Sequence, residues 1–201
     1  MRQLRKLQLL GLLVIAASCG GKKAELDKKF AEANRLFETQ NTPQALKLYQ
    51  EITDADSDHT GAHVMIGRIL YYDRKFGEAE KVLAETVSRQ PESVDAIFWL
   101  ARVQSVIPAK KEEAMKNLEI LLQRDGSRVD ALVLKGMLHE EKKEVSQAIV
   151  AYRAATQHEQ DIGQAYFRLA SIYSTAGLED MKRKALVRAA LLAPELVTQK
   201  R

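Results

Sequence analysis

The chain has 201 residues, with 31 lysines and arginines against 27 aspartates and glutamates, 4 histidines and one cysteine. A single cysteine excludes an internal disulfide framework, and a formal charge of +4 gives no footing for a nucleic-acid surface. The charge is also unevenly placed: "MRQLRKLQ" holds Arg2, Arg5 and Lys6 without an acid, and losing residues 1–18 would leave +1 on 183 residues, one domain of ordinary size.

An apolar run from Leu9 to Ala17 follows that basic start, and small residues lead to Cys19. This is the order of a secretory signal, and the run is shorter than the roughly 20 residues a bilayer span needs. A lone thiol exported to an oxidising compartment needs an explanation. The stretch "IAASC" resembles the lipobox of bacterial lipoproteins: Ala17 and Ser18 match it, and Ala16 departs from its usual leucine. The resemblance implies cleavage of a signal peptide at 1–18, acyl chains such as palmitate on Cys19, and a lipidated N-terminus and linker over 19–25. It also implies a bacterial cell envelope. Gly20 in place of an aspartate implies the outer membrane, facing the periplasm. Several acyl chains, each contributing ~0.8 kcal/mol per buried methylene, would hold the protein there.

Past the linker, strand-like runs of β-branched residues are missing and apolar residues recur at helical spacing, which predicts an all-α chain. Four segments align: "GAHVMIGRIL" from Gly61, "VDAIFWLARV" from Val94, "VDALVLKGML" from Val129 and "GQAYFRLASI" from Gly163. Each carries a small residue where two helices would approach closely, namely Gly67, Ala101, Gly136 and Ala170, at spacings of 34, 35 and 34. The intervening segments repeat as well. "ALKLYQEI", "AEKVLAET", "AMKNLEIL" and "AIVAYRAA" set Ala45, Ala79, Ala114 and Ala148 four residues before Tyr49, Leu83, Leu118 and Tyr152. A small contact point and a large one thus share each helix face. Thr42, ahead of Pro43, and Ser146 are predicted N-caps, while Pro91 and Pro194 fall where helices should stop.

A two-helix unit with a period near 34 resembles the tetratricopeptide repeat. The resemblance implies a right-handed superhelical solenoid of about five helix-turn-helix units over 26–196, starting near 26, 60, 94, 129 and 163, with a tail at 197–201. The second unit fits best, through Gly67, Ala79 and Pro91. The third carries an extra residue near "VIPAK", which predicts a longer turn; the fifth has Lys182 where alanine is expected.

Chemistry-bearing patterns are sparse. His59 and His63 stand four apart, but a repeat boundary falls between them and no third ligand is evident. "DADSD" opens like a calcium loop, yet His59 holds its glycine place and Met65 the place of its final acid. No phosphate loop or nucleophile elbow occurs. The reading is of a protein that is not an enzyme and uses no metal or cofactor.

In tetratricopeptide proteins particular places in each unit line a concave face. Carried over, they imply a partner groove with Phe30, Val64, Phe98, Val133 and Phe167 at fifth places. Asn34, Arg68, Arg102, Met137 and Ser171 stand at ninth places, and Tyr71, Tyr72 and Phe37 lie beside them. Members that bind chaperone tails use lysines at fifth places; apolar residues here remove that expectation. The fifth-place residues could instead thicken the packing between helices. Arg68 and Arg102 are expected side by side, facing a partner with an acidic residue and bulky apolar ones, unless they pair with acids such as Asp95 or Asp130. The function implied is a lipid-anchored envelope adaptor, a scaffold that binds a protein or peptide partner during assembly of envelope or outer-membrane machinery. The alternative is a structural lipoprotein that self-associates into homodimers through the ends of its array.

Overall fold

The computed structural model describes residues 21–194. The predicted signal, Cys19 as the predicted lipidation site, and the predicted C-terminal tail lie outside the described residues. The chain divides into two compact units between Ile107 and Pro108. The first contains α1 (21–38), α2 (Thr42–Ala55), α3 (Thr60–Tyr72), α4 (Phe76–Arg89) and α5 (Val94–Ser105). The second begins with a 3-10 turn at Pro108–Lys110 and continues with α6 (Lys111–Arg124), α7 (Val129–Glu141), α8 (Val145–Thr175) and α9 (Glu179–Leu192). Among the described residues there is no strand.

The small-to-large pattern does in space what its spacing suggests. A Cβ built on Gly67 would lie 2.5 Å from Leu83 Cγ, so α3 and α4 meet backbone against side chain. Gly136 meets the ring of Tyr152 in the same way, joining α7 to α8. Around the first contact, Tyr49, Ile52, Ile69, Leu83, Ile97 and Val103 are fully buried. Each such aliphatic side chain stabilises the unit by about 1.5–3 kcal/mol relative to exposure.

One device ends the first helix of four units. Gln40, Arg74, Lys143 and Gly177 all adopt left-handed backbone, with φ between 60 and 70°. In each case the next N–H reaches back to a carbonyl five residues earlier: Asn41 to Leu36, Lys75 to Leu70, Glu144 to His139 and Leu178 to Tyr173. This is the Schellman closure, which satisfies carbonyls that the helix end would orphan. The corresponding place in the third unit is Pro108, which cannot take positive φ and has no N–H to donate. The chain there makes a 3-10 turn instead, and the two compact units divide at the same point, between the third repeat's helices.

Several expectations need correction. Residues 21–25, read as linker, are already helical in α1, and Lys22 Nζ donates to the Ala55 carbonyl at 3.0 Å. Thr42 is the first residue of α2 rather than its cap, and Ser146 lies inside α8; neither helix has a side-chain N-cap bond. Side-chain caps occur at Ser93, whose Oγ accepts from the Ala96 N–H, and at His59, whose Nδ1 accepts from the Ala62 N–H. The largest departure is α8, which runs 31 residues without a break before Gly163, where a fifth unit was expected to start. The comparable boundaries elsewhere read "DADSD", "RQPES" and "RDGSR", with Pro, Gly or clustered Asp and Ser; "ATQHEQDI" has no Pro or Gly, so nothing stops the helix. Gly163 serves a different end: a Cβ there would lie 2.6 Å from Ala193 Cβ, so α8 and the end of α9 close together at it.

Candidate functional site

The first unit concentrates its chemistry where α1, α3 and α5 contribute side chains to one cluster. On α3, Arg68 is followed one turn later by Tyr71 and Tyr72; on α5, Phe98 and Trp99 precede Arg102 by one turn. Trp99, the chain's one tryptophan, is the centre. Arg68 Cζ lies 4.8 Å from its ring centroid and Arg102 Cζ 5.9 Å from it, so one indole carries both cations. Arg68 is also 5.3 Å from the Phe37 ring, contributed by α1. Arg102 is 5.8 Å from Tyr71 and 6.0 Å from Phe98. Edge contacts of Tyr71 to Trp99 at 6.0 Å and Tyr72 to Trp99 at 6.1 Å, with a tilted contact of Tyr71 to Phe76 at 5.7 Å, tie the rings together.

Cation–π contacts contribute ~0.5–1 kcal/mol when exposed and about 2 or more when desolvated, so the stack holds both arginines in place. It leaves their hydrogen bonding unsatisfied. The Nε of each is buried without a partner, and Arg68 Nη1 donates only to the Met65 thioether, at 3.3 Å, a weak acceptor. Among the described residues neither guanidinium meets a carboxylate within ion-pair distance, and Asp130 is taken by Arg128 at 3.0 Å. Behind the cluster, the buried Tyr49 hydroxyl donates to Asn34 Oδ1 at 2.7 Å. Burial pushes the Tyr49 pKa up to about 12, against the opposing charge of Arg68.

The structure therefore joins Arg68, Arg102, Tyr71, Phe37 and Phe98 around Trp99 and gives other expected groove residues different roles. Val64 and Phe98 are 7% and 3% exposed, so these fifth-place side chains pack between helices rather than line an open floor. Phe30 packs on Tyr49 and on the capping ring of His59. Asn34 is engaged by Tyr49. Tyr72 is exposed. Val133 and Met137, one turn apart on α7, are exposed in the second unit, where Phe167 is half-buried on α8. Trp99 was missed because its place is not among those the family resemblance assigns to the groove. The available signal was a sole tryptophan three residues before Arg102, on the same helix face. His59 and His63 do not converge: the first caps α3, and His63 Nε2 donates to the Ser57 carbonyl at 2.9 Å.

Residues 64–104, which hold the α3 and α5 side chains of this cluster, match a tetratricopeptide-repeat family model. No curated protein sequence matches the chain significantly. Similar solved structures include TTC0263, a thermophilic tetratricopeptide-repeat protein of Thermus thermophilus, with a TM-score of 0.62 and 15% identity over 87% of this chain and 96% of that one. MamA from Desulfovibrio magneticus RS-1 gives 0.59 and 13% over 85% and 96%. YrrB, described as a tetratricopeptide-repeat protein with an unusual peptide-binding site, gives 0.55 and 18% over 85% and 89%. The fold is the all-α tetratricopeptide solenoid.

Proposed function

We propose that this chain is a lipid-anchored adaptor of a bacterial cell envelope that binds a protein or peptide partner and performs no catalysis. The observation that carries the binding role is the Trp99 cluster: two arginines and an exposed tyrosine gathered on rings, the residue types that anchor protein interfaces. The peptide-binding site described for YrrB is an instance of such a role on this fold. The anchor and the address rest on the N-terminal residues: the basic start, the apolar run and Cys19. Gly20 favours delivery to the outer membrane, where an adaptor would serve assembly of envelope machinery.

Two measurements test the two halves. Cys19→Ala should abolish detergent partitioning and signal processing; a variant processed and membrane-bound like wild type would end the lipoprotein reading. For the binding role, envelope proteins are crosslinked and captured with wild type and with Arg68→Ala/Arg102→Ala. The reading requires a captured protein whose affinity falls about thirtyfold or more in the double variant at unchanged helical content. A second reading, self-association through the array's end, draws on the exposed Ile172, Val187 and Leu191 of α8 and α9. A dimer by light scattering of the mature domain would favour it.

A further inference from the structure

We infer that the Trp99 cluster selects a carboxylate, presented by an acidic residue that sits next to an aromatic or aliphatic residue in the partner segment. The inference rests on the adaptor reading and names what that surface recognises. Four arginines elsewhere are neutralised internally: Arg35 pairs with Glu32, Arg89 with Glu85, Arg128 with Asp130 and Arg183 with Asp180. At Trp99 it places two guanidiniums on one ring and supplies neither with an acid. Their Cζ atoms are no further apart than the sum of their distances to the Trp99 centroid, so each adds to the positive potential at the other. An anion from outside would neutralise both cations at once.

Stacking also determines the shape of the anion. Phe37 and Trp99 lie against Arg68, and Trp99, Tyr71 and Phe98 surround Arg102, so ring surface limits where a ligand can approach each guanidinium. The Nε atoms are buried, so the donors left for a ligand are the terminal N–H groups, whose planar fork matches a carboxylate's two oxygens. The exposed Tyr72, held edge-on to Trp99, supplies apolar surface beside them for a neighbouring bulky side chain. A free phosphate would use the cations and leave that surface idle. Trp99 is the positioning residue, since it registers both guanidiniums at once.

The sole tryptophan makes the site its own reporter. The probe is a phage-displayed library of random dodecapeptides selected on the full chain in detergent, followed by synthetic copies of the enriched sequences titrated against Trp99 emission. The expected result is an Asp or Glu beside Phe, Tyr, Trp or Leu in the enriched set, with saturable change in emission. Exchanging that acid for its amide in the peptide should weaken binding to wild type by about tenfold or more. Arg68→Lys/Arg102→Lys, which keeps the charge and loses the fork, should weaken the acidic peptide similarly and leave the amide peptide unchanged. Enriched peptides without acids, or an acid-to-amide effect within twofold on wild type, would overturn the inference while leaving an adaptor. Inorganic phosphate perturbing Trp99 as strongly as the acidic peptide at equal concentration would overturn it in favour of a phosphate site. No enrichment at all would bring down the adaptor reading and the inference together. The peptide exchange needs no variant, so a misfolded double variant cannot obscure the answer.

Discussion

Gly67→Ala tests the contact on which the α3–α4 pair is built. The added Cβ would stand 2.5, 2.7 and 2.8 Å from the Cγ and both methyl carbons of Leu83. Carbon atoms pack best at about 3.5–4.0 Å, so α3 and α4 must part by about an ångström or Leu83 must leave its rotamer. Leu83 is fully buried and has no open side to move into. Overpacking of this kind costs ~1–3 kcal/mol, and the upper part of that range applies because all three outer carbons are too close. Alanine returns about 1 kcal/mol through its better helix propensity. The net expectation is a loss of about 2 kcal/mol.

Gly77→Ala is the control, because a Cβ there meets nothing within 4 Å and only the propensity gain remains. Urea unfolding followed by Trp99 fluorescence reports the first compact unit, and far-UV circular dichroism reports both. Adding Gly67→Ala to Leu83→Ala should be neutral or stabilising, giving a coupling of about 2–3 kcal/mol in the double-mutant cycle. If Gly67→Ala were as stable as Gly77→Ala, or showed no coupling to Leu83, the backbone-to-side-chain contact would be refuted.

Arg74→Gly and Lys143→Gly should each raise the urea midpoint by the equivalent of about 1 kcal/mol, since side chains at these left-handed positions are strained and glycine is not. Ala79→Trp and Ala148→Trp should each destabilise by ~1–3 kcal/mol, because both alanines are buried; unchanged thermal midpoints in both would count against the repeat register. Two of the six tyrosines should titrate late, near pH 12, when absorbance at the phenolate band is followed: Tyr49, raised by burial, and Tyr152, raised first by its hydrogen bond to Glu140. Both shifts favour the neutral phenol in the folded state. The stability they contribute is therefore complete below about pH 10 and lost as pH rises through about 12, and Glu140→Ala should return Tyr152 towards the ordinary range.

The repeat period was legible because each unit spends the same residues on the same contact. Gly67 with Leu83 and Gly136 with Tyr152 are one geometric requirement written twice, and spacing alone locates such a requirement. Turn closure was less legible. Gln40, Arg74 and Lys143 carry none of glycine's composition signal, and their left-handed geometry is imposed by the carbonyls behind them. The unbroken α8 was hidden for the opposite reason: family spacing predicts a turn near Gly163, whereas local chemistry supplies no residue to make one. In the candidate site, the arginine pair could be located by its ninth-place register. Repeat register did not point to Trp99, whose stacking with Arg68 on a neighbouring helix is fixed by packing; only its spacing of three from Arg102 on α5 was there to read.

The same rows of positions explain why this chemistry belongs to the first unit. Read down the ninth places, the chain offers Asn34, Arg68, Arg102, Met137 and Ser171. Asn34 is engaged by Tyr49, and Met137 and Ser171 carry no charge, so cations at these places occur only on α3 and α5. Their supporting rings are correspondingly local: Phe37 on α1, Tyr71 on α3, and Phe98 and Trp99 on α5, all before Ile107. The regular helix closure fails immediately afterwards, at Pro108, where the place that needs positive φ is filled by the residue least able to adopt it. The last arginine of the stack, in the final turn of α5, and the irregular turn at the division thus fall at the same helix end. A site assembled wholly from α1, α3 and α5 keeps its geometry whatever the 3-10 turn does, because each stacking contact is made between helices of one compact unit.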